Sequence, residues 1–363
     1  MKLKYILFII YIVVFPFYFF ERGNPQIADA FGALLVLFHF KSIVNSLGAH
    51  RFFKSLLLFV VYTIIVNCAW MIILDEILLL KSSLYYIYSF MIILVFYSKM
   101  KDEGFLRTIA YALLMSLCLQ FVLWPFIPNQ GVRTMMFFKD PNQLSFWSFS
   151  MLIISYLVYK LAEIKGILLY AVLLLSTFFI FISASKSGVA VAIIFWLYFF
   201  TKTKRQIMIL SMVSVIGFSI FLFTGKLDSK NFTFADNAIE RLSEKKRGQG
   251  NTLNDRGYDR ILNYPQYTIL GAGEGKYKRF GYRIELHSTF FNILFSYGVL
   301  GLFLFGTAIT IILKNSNWTI KLILLLIVLY TLAHMTLRSP FFWLSLLLLF
   351  YLNYTNNNTI KAE

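Results

Sequence analysis

Charge is scarce in this 363-residue chain, and so are the residues that build most thiol and metal sites. Charged side chains make up 14% of the sequence, with four histidines and two cysteines. A soluble domain carries nearly twice that share of charge, about a quarter of its residues, so an ordinary water-facing surface is excluded. Two cysteines exclude a disulfide framework. Cys68 and Cys118 both lie in apolar runs and read as small core hydrophobes. Regular apolar–polar alternation is missing from the long runs, which excludes a β-barrel.

What fills the chain instead is hydrocarbon. Hydrophobic residues reach 59% and mean hydropathy is +0.72. Backbone groups in lipid must be satisfied within their own segment, so the runs are helices. The expected fold is all-α, a polytopic membrane protein of about twelve spans forming one domain over 1–363. The spans fall near 5–20, 25–40, 52–74, 77–97, 105–127, 143–160, 166–184, 187–201, 206–224, 287–313, 320–336 and 339–353. Met1-Lys-Leu-Lys4 and the run after it lack a small-x-small cleavage site, so an uncleaved first span is expected. The polar tail from Asn353 to Thr359 is expected to fray.

The net charge of +17 does not mark nucleic-acid binding, because the basic residues form no stripe. They alternate between connections. One side holds sixteen, from Lys2 and Lys4 through Arg51, Lys99 and Lys160 to Lys361. The short connections opposite hold only Arg22, Arg133, Lys139, Lys186 and Arg338. The positive-inside rule then puts both termini in the cytoplasm.

One interruption stands out, a polar loop spanning about 225–286. From Lys226 to Glu285 it carries twelve Lys/Arg and eight Asp/Glu, and alternation places it outside. Ala235 to Arg247 suits a short amphipathic helix. In Asp255-Arg-Gly-Tyr-Asp-Arg260, a helical turn would put Arg256 and Arg260 on one face, a pair suited to a phosphate or pyrophosphate. The alternative is local pairing of Arg256 with Asp259. Gly271-Ala-Gly-Glu-Gly275 makes a tight turn or a nest of backbone N–H groups, and its spacing is not that of a Walker loop. His287, at the re-entry, can hold a proton near neutral pH, or serve only structure. Gly298 and Gly301 form a small pair suited to helix packing. Among the other outer turns, Lys139-Asp-Pro-Asn142-Gln143 reads first as a capped helix start. Ser183-Ala-Ser-Lys186-Ser-Gly188 exposes Lys186. Arg338 precedes Pro340, where it anchors a hairpin or meets substrate, and His334 is a packed or snorkelling residue.

Together these motifs resemble a family. Asp140-Pro-Asn142, then Ser183-x-Ser-Lys-Ser-Gly188, then a loop with Arg, Gly271-x-Gly-x-Gly275, His287 and Tyr297-Gly-x-x-Gly301 are ordered as in the bacterial O-antigen polymerases and the superfamily they share with O-antigen ligases. The resemblance covers roughly 139–302, and Arg256 to Gly301 is its specific part. It implies a GT-C-like glycosyltransferase in the bacterial inner membrane, with its site facing the periplasm. The substrates implied are undecaprenyl-pyrophosphate-linked glycans, the growing chain passing to the non-reducing end of a fresh unit. It implies no cofactor and no metal, and the outer connections hold no dense cluster of metal-ligand type. A chain-length regulator in the membrane is an expected partner.

By matching position, His287 corresponds to the family's re-entry histidine and acts as base, and Arg256 or Arg260 to its loop arginine. Lys186 stands where many relatives have Arg, which keeps the charge but loses the bidentate fork. Asn142 and Arg338 join the substrate-binding set, and Glu274 is a second base or a sugar-orienting group. The nearest rival is an O-antigen ligase, which hands polymer to a lipid A–core acceptor. A flippase would place ionisable groups mid-membrane, and Lys81, beside Asp75 and Glu76, is the clearest in-span charge. A membrane scaffold is the remaining alternative.

Overall fold

The computed structural model describes residues 3–21, 23–102, 104–128, 133–201, 256–282 and 285–362. These form fourteen α-helices and no strand. They are α1 (Ile6–Val14), α2 (Ile27–Phe38), α3 (Phe40–Leu47), α4 (Arg51–Leu74), α5 (Leu80–Lys99), α6 (Phe105–Leu123), α7 (Pro141–Leu161), α8 (Ile167–Ile182) and α9 (Lys186–Thr201). Then follow α10 (Asp259–Asn263), α11 (Tyr267–Leu270), α12 (Thr289–Leu313), α13 (Trp318–Ala333) and α14 (Pro340–Ala362).

The protein is an all-α polytopic membrane protein. Helices stand at eleven of the twelve expected spans; the ninth, 206–224, and the helix expected over Ala235–Arg247 lie outside the described residues. Among the described residues five helices are long and apolar enough to cross a membrane, or six if α2 and α3, bent by 74°, count as one. The bend has a cause in sequence: α2 is apolar, whereas α3 buries Ile43 and Ser46 but exposes Phe40, Lys41 and Val44. That is the pattern of a helix lying along an interface.

The polar tail does not fray. α14 runs on to Ala362 because the Asn353 amide donates to the carbonyls of Ile312 (3.1 Å) and Lys314 (2.8 Å), and Asn357 donates back to Asn353 (3.1 Å). The two cysteines are not core residues: Cys68 is half-buried and Cys118 faces outward from α6.

The connections sort to two ends of the bundle. At one, Lys4 pairs with Asp102 (3.2 Å) and His50 meets the Tyr97 hydroxyl (2.6 Å). At the other, Tyr18 N–H donates to Phe137 O, Thr134 N–H to Ile182 O and Lys81 to Asn24 (3.2 Å). The second end carries the sequence motifs. Asp140 caps α7, accepting from Asn142 N–H (2.6 Å) with Pro141 in the first turn. Ser288 caps α12.

α12 breaks at Gly298, whose φ of 68° and ψ of −175° no L-residue adopts cheaply. A helical carbonyl bonds the N–H four residues on, so the break frees the carbonyls of Phe295 and Ser296. They accept instead from Ala272 N–H and Gly273 N–H, both at 2.9 Å. The loop thereby docks on the helix edge-on. A Cβ on Gly298 would lie 2.2 Å from the Ile269 carbonyl oxygen, and one on Gly271 2.5 Å from that of Ser296. Gly301 does pack helices, facing Tyr62 of α4. Gly298→Ala should therefore destabilise the protein by more than about 3 kcal/mol, the top of the usual range for backbone strain, whereas Gly306→Ala, in open space, should be silent. Thermal unfolding of detergent-purified protein followed by size-exclusion fluorescence checks both.

Candidate functional site

The motif-bearing end encloses a cavity of about 440 Å³. Its walls come from the α1–α2 turn, α5, the start of α7, the α12 re-entry and the α13–α14 connection. Of the expected site residues, Asn142, His287 and Arg338 line it; Arg256, Arg260, Lys186 and Glu274 do not.

His287 precedes the α12 cap. Its N–H donates to the Arg256 carbonyl (3.2 Å), and its own carbonyl accepts from the Tyr258 hydroxyl (3.1 Å). Backbone bonds thus fix the residue while its ring makes no hydrogen bond among the described residues. Burial lowers its pKa, Glu285 opposes that, and the Arg256 charge lowers it further. The imidazole is a neutral proton acceptor at neutral pH.

A second histidine faces the cavity. His334 stacks on Tyr330 (4.7 Å between ring centres), and its Nε2 meets the Ser187 hydroxyl at 2.6 Å. Burial, with the Arg256 and Arg133 charges and the neighbouring His287 imidazole behind it, pushes its pKa down to about 3. Sequence reasoning left His334 as packing. The clue was its neighbourhood, a His and an Arg four apart in a connection of only six residues. The two histidine segments are stitched together: the Thr289 hydroxyl donates to the His334 carbonyl (3.0 Å) and accepts from Thr336 N–H (3.0 Å).

Arg256 and Arg260 do not share a helical face, because α10 begins only at Asp259 and Arg256 lies in the turn before it. Arg260 is fully buried. Its guanidinium lies 4.3 Å from the Tyr282 ring centre, 5.1 Å from Tyr277 and 5.6 Å from Phe295. It is a packing cation of the loop's own small core rather than a group on the cavity. Arg256 is half-buried beside His287. Asp259 accepts from Tyr282 and Asn263.

The glycine turn is no anion nest. Gly271, Ala272, Gly273 and Glu274 all spend their N–H groups on the protein, on Tyr267 O, Phe295 O, Ser296 O and the Asn67 side chain (2.8 Å). Arg279 donates to the carbonyls of Ala272 and Gly273. The positive φ values of the three glycines, 94°, 70° and 123°, shape a turn that delivers one carboxylate inward.

That carboxylate is Glu274, wholly buried. Its Oε1 accepts from Arg338 Nε (3.0 Å) and Nη2 (2.6 Å), and its Oε2 from the hydroxyls of Tyr86 and Tyr297 (2.8 Å for the latter). With both oxygens taken, Glu274 is a clamp rather than a second base. Arg338 also pairs with Glu285 (2.9 Å) and donates to the Tyr277 hydroxyl oxygen (3.1 Å). Burial works against its charge, but the two carboxylates outweigh it and hold its pKa well above the ordinary value. So Arg338 does anchor its hairpin, and it also presents an edge to the cavity.

Asn142 accepts from Arg133 Nη2 (2.8 Å), and Arg133 Nε donates to Ser183 O (3.1 Å), tying α7 to the α8–α9 turn. Lys186 opens α9, exposed and beside the Ser187 that touches His334.

Residues 171–306 match the family described as O-antigen ligase. Over that stretch the chain is similar to the O-antigen ligase and polymerase superfamily. The match takes in the glycine turn, His287 and Gly298, and it ends before His334 and Arg338. It supports a lipopolysaccharide-related ligase or polymerase role, that of a glycosyltransferase-like enzyme acting on glycans. No curated protein matches the chain.

Removing the clamp should cost stability. Glu274→Ala leaves Arg338 with Glu285 alone, and about 2–3 kcal/mol should be lost, the low side of breaking a buried pair because one carboxylate remains. Glu274→Gln, which keeps hydrogen bonds to the two tyrosines, should lose less. Thermal melts of the two variants check the order.

Proposed function

We propose that this protein polymerises undecaprenyl-pyrophosphate-linked repeat units into surface polysaccharide at the periplasmic face of the inner membrane. The observation that carries the reading is His287, its imidazole neutral and making no hydrogen bond among the described residues, lining a cavity within the segment similar to the O-antigen ligase family.

In the proposed step an acceptor-sugar hydroxyl attacks the anomeric carbon of the growing chain. The new C–O bond forms as the bond to the pyrophosphate oxygen breaks, and that oxygen leaves with the electron pair. His287 takes the hydroxyl proton, a role typically worth ~10²–10⁴ in rate. The cavity edge of Arg338 holds the departing diphosphate and Asn142 orients sugar, while Arg256, behind His287, and Lys186, at the α9 start, add positive field from outside the lining. Arg260 and Glu274 hold this arrangement from behind. Both termini cytoplasmic, a site facing the periplasm and a membrane-bound chain-length regulator complete the picture.

A surface-polysaccharide ladder from a deletion strain tests it. With His287→Ala the ladder should shrink to a single-repeat band. Loss of that band with lipid-linked polymer accumulating would favour the ligase reading, and an unchanged ladder would sink the catalytic assignment. In the purified enzyme the lowered pKa keeps His287 in its base form as pH falls through about 6.5, so kcat/KM should stay level there and fall only at lower pH.

The two loop arginines should separate. Arg256→Ala should cut transfer, by less than the ~10²–10³ typical of a donor in direct contact with the developing charge, with an unchanged melting temperature. Arg260→Ala should lower the melting temperature first. Transfer assays and melts on the same preparations decide.

A further inference from the structure

The cavity has a second pole, away from the histidines, built by the α1–α2 turn and the first turn of α7. The α1–α2 turn is wound around one side chain. Gln26, buried, accepts from Phe20 N–H (3.0 Å) and donates to Asn24 O (2.9 Å), Phe20 O (3.3 Å) and Glu21 O (3.4 Å). Its own N–H goes to Asp29 (2.7 Å), and the Tyr85 hydroxyl donates to Gly23 O (2.8 Å). The turn is therefore rigid without a ligand.

Two amides on this pole are oriented alike. Asn24 Oδ1 accepts from Lys81 Nζ (3.2 Å), and Gln143 Oε1 accepts from Lys139 N–H (3.1 Å). Fixing the oxygen fixes the NH₂, because an amide held by a donor at its oxygen must present its nitrogen elsewhere. Neither NH₂ has a partner among the described residues, and both side chains line the cavity. The Tyr18 hydroxyl, on the same wall, has none either, while its ring rests on Phe138 (5.0 Å between centres). Three preset donors beside an aromatic wall suit a neutral ligand with many oxygen acceptors and apolar C–H faces, which describes a sugar ring.

We propose that Tyr18, Asn24 and Gln143 form a carbohydrate subsite that reads hydroxyl or acetamido oxygens of the repeat unit, and so sets which glycan is joined. The inference rests on the glycan-transfer reading above. It adds a specificity determinant outside the segment similar to the O-antigen ligase family.

The test uses full-length protein in nanodiscs and two probes: the undecaprenyl-pyrophosphate-linked repeat unit from the source strain, and glycan-free undecaprenyl pyrophosphate. Tyr18→Phe, Asn24→Asp and Gln143→Glu keep shape and the oxygen contacts but delete or invert one donor each. Each should weaken binding and raise KM for the glycan-bearing lipid about ten-fold, the effect of one mispaired polar contact. Binding of the glycan-free lipid and the melting temperature should not change. Wild-type affinity for the glycan-bearing lipid in all three variants overturns the subsite while leaving the transfer reading intact. Equal weakening for both lipids also overturns it, since the effect would then lie on the carrier. Wild-type protein that transfers no glycan fails the transfer reading instead, and the binding comparison then judges the subsite separately.

Discussion

Glu274 is a carboxylate with no access to water, and four other parts of the molecule meet on it. Arg338 comes from the α13–α14 connection, Tyr86 from α5, Tyr297 from the turn of α12 just before its break, and Asn67 of α4 holds its backbone N–H. A charge in that position is tolerable only when fully paired and hydrogen-bonded. The requirement runs both ways. The glycine turn must take its shape to deliver the carboxylate, α12 must open to dock the turn, and Arg338 must stay charged to neutralise it. His287 enters the membrane end on the short segment between the turn and α12, so its place follows from the same clamp.

The helical architecture was legible in the sequence because lipid imposes it: an apolar run in hydrocarbon has no alternative to helix. Asp140 was legible as a helix start for an equally local reason, a side-chain oxygen reaching the first-turn N–H groups. What was hidden depended on partners far away in sequence. Gly271 to Gly275 could be read as a tight turn or as a nest because its N–H groups are visible in sequence, whereas the Phe295 and Ser296 carbonyls freed by Gly298 are not. Arg260 looked like a phosphate ligand until Tyr277, Tyr282 and Phe295 closed around it. His334 looked inert because its partner, Ser187, lies 147 residues away.

The chemistry gathered at this end is asymmetric. One pole holds two imidazoles kept neutral by burial and by the Arg256 charge, with an arginine that two carboxylates hold cationic. The other presents fixed amide donors and aromatic rings, with Asp29 and Asp140 beside them. A base beside an arginine edge, opposite a wall of amides and aromatic rings, fits the glycan-transfer reading. A transport pathway asks for something else, ionisable groups strung along the spans. The one in-span lysine singled out, Lys81, instead bonds Asn24 at the cavity rim.

The most direct measurement is stoichiometric. Purified protein in nanodiscs is given lipid-linked repeat units, and new glycosidic bonds and free undecaprenyl pyrophosphate are counted together. The account predicts one free lipid pyrophosphate for every bond formed. Units that cross the bilayer intact with no pyrophosphate released would contradict it.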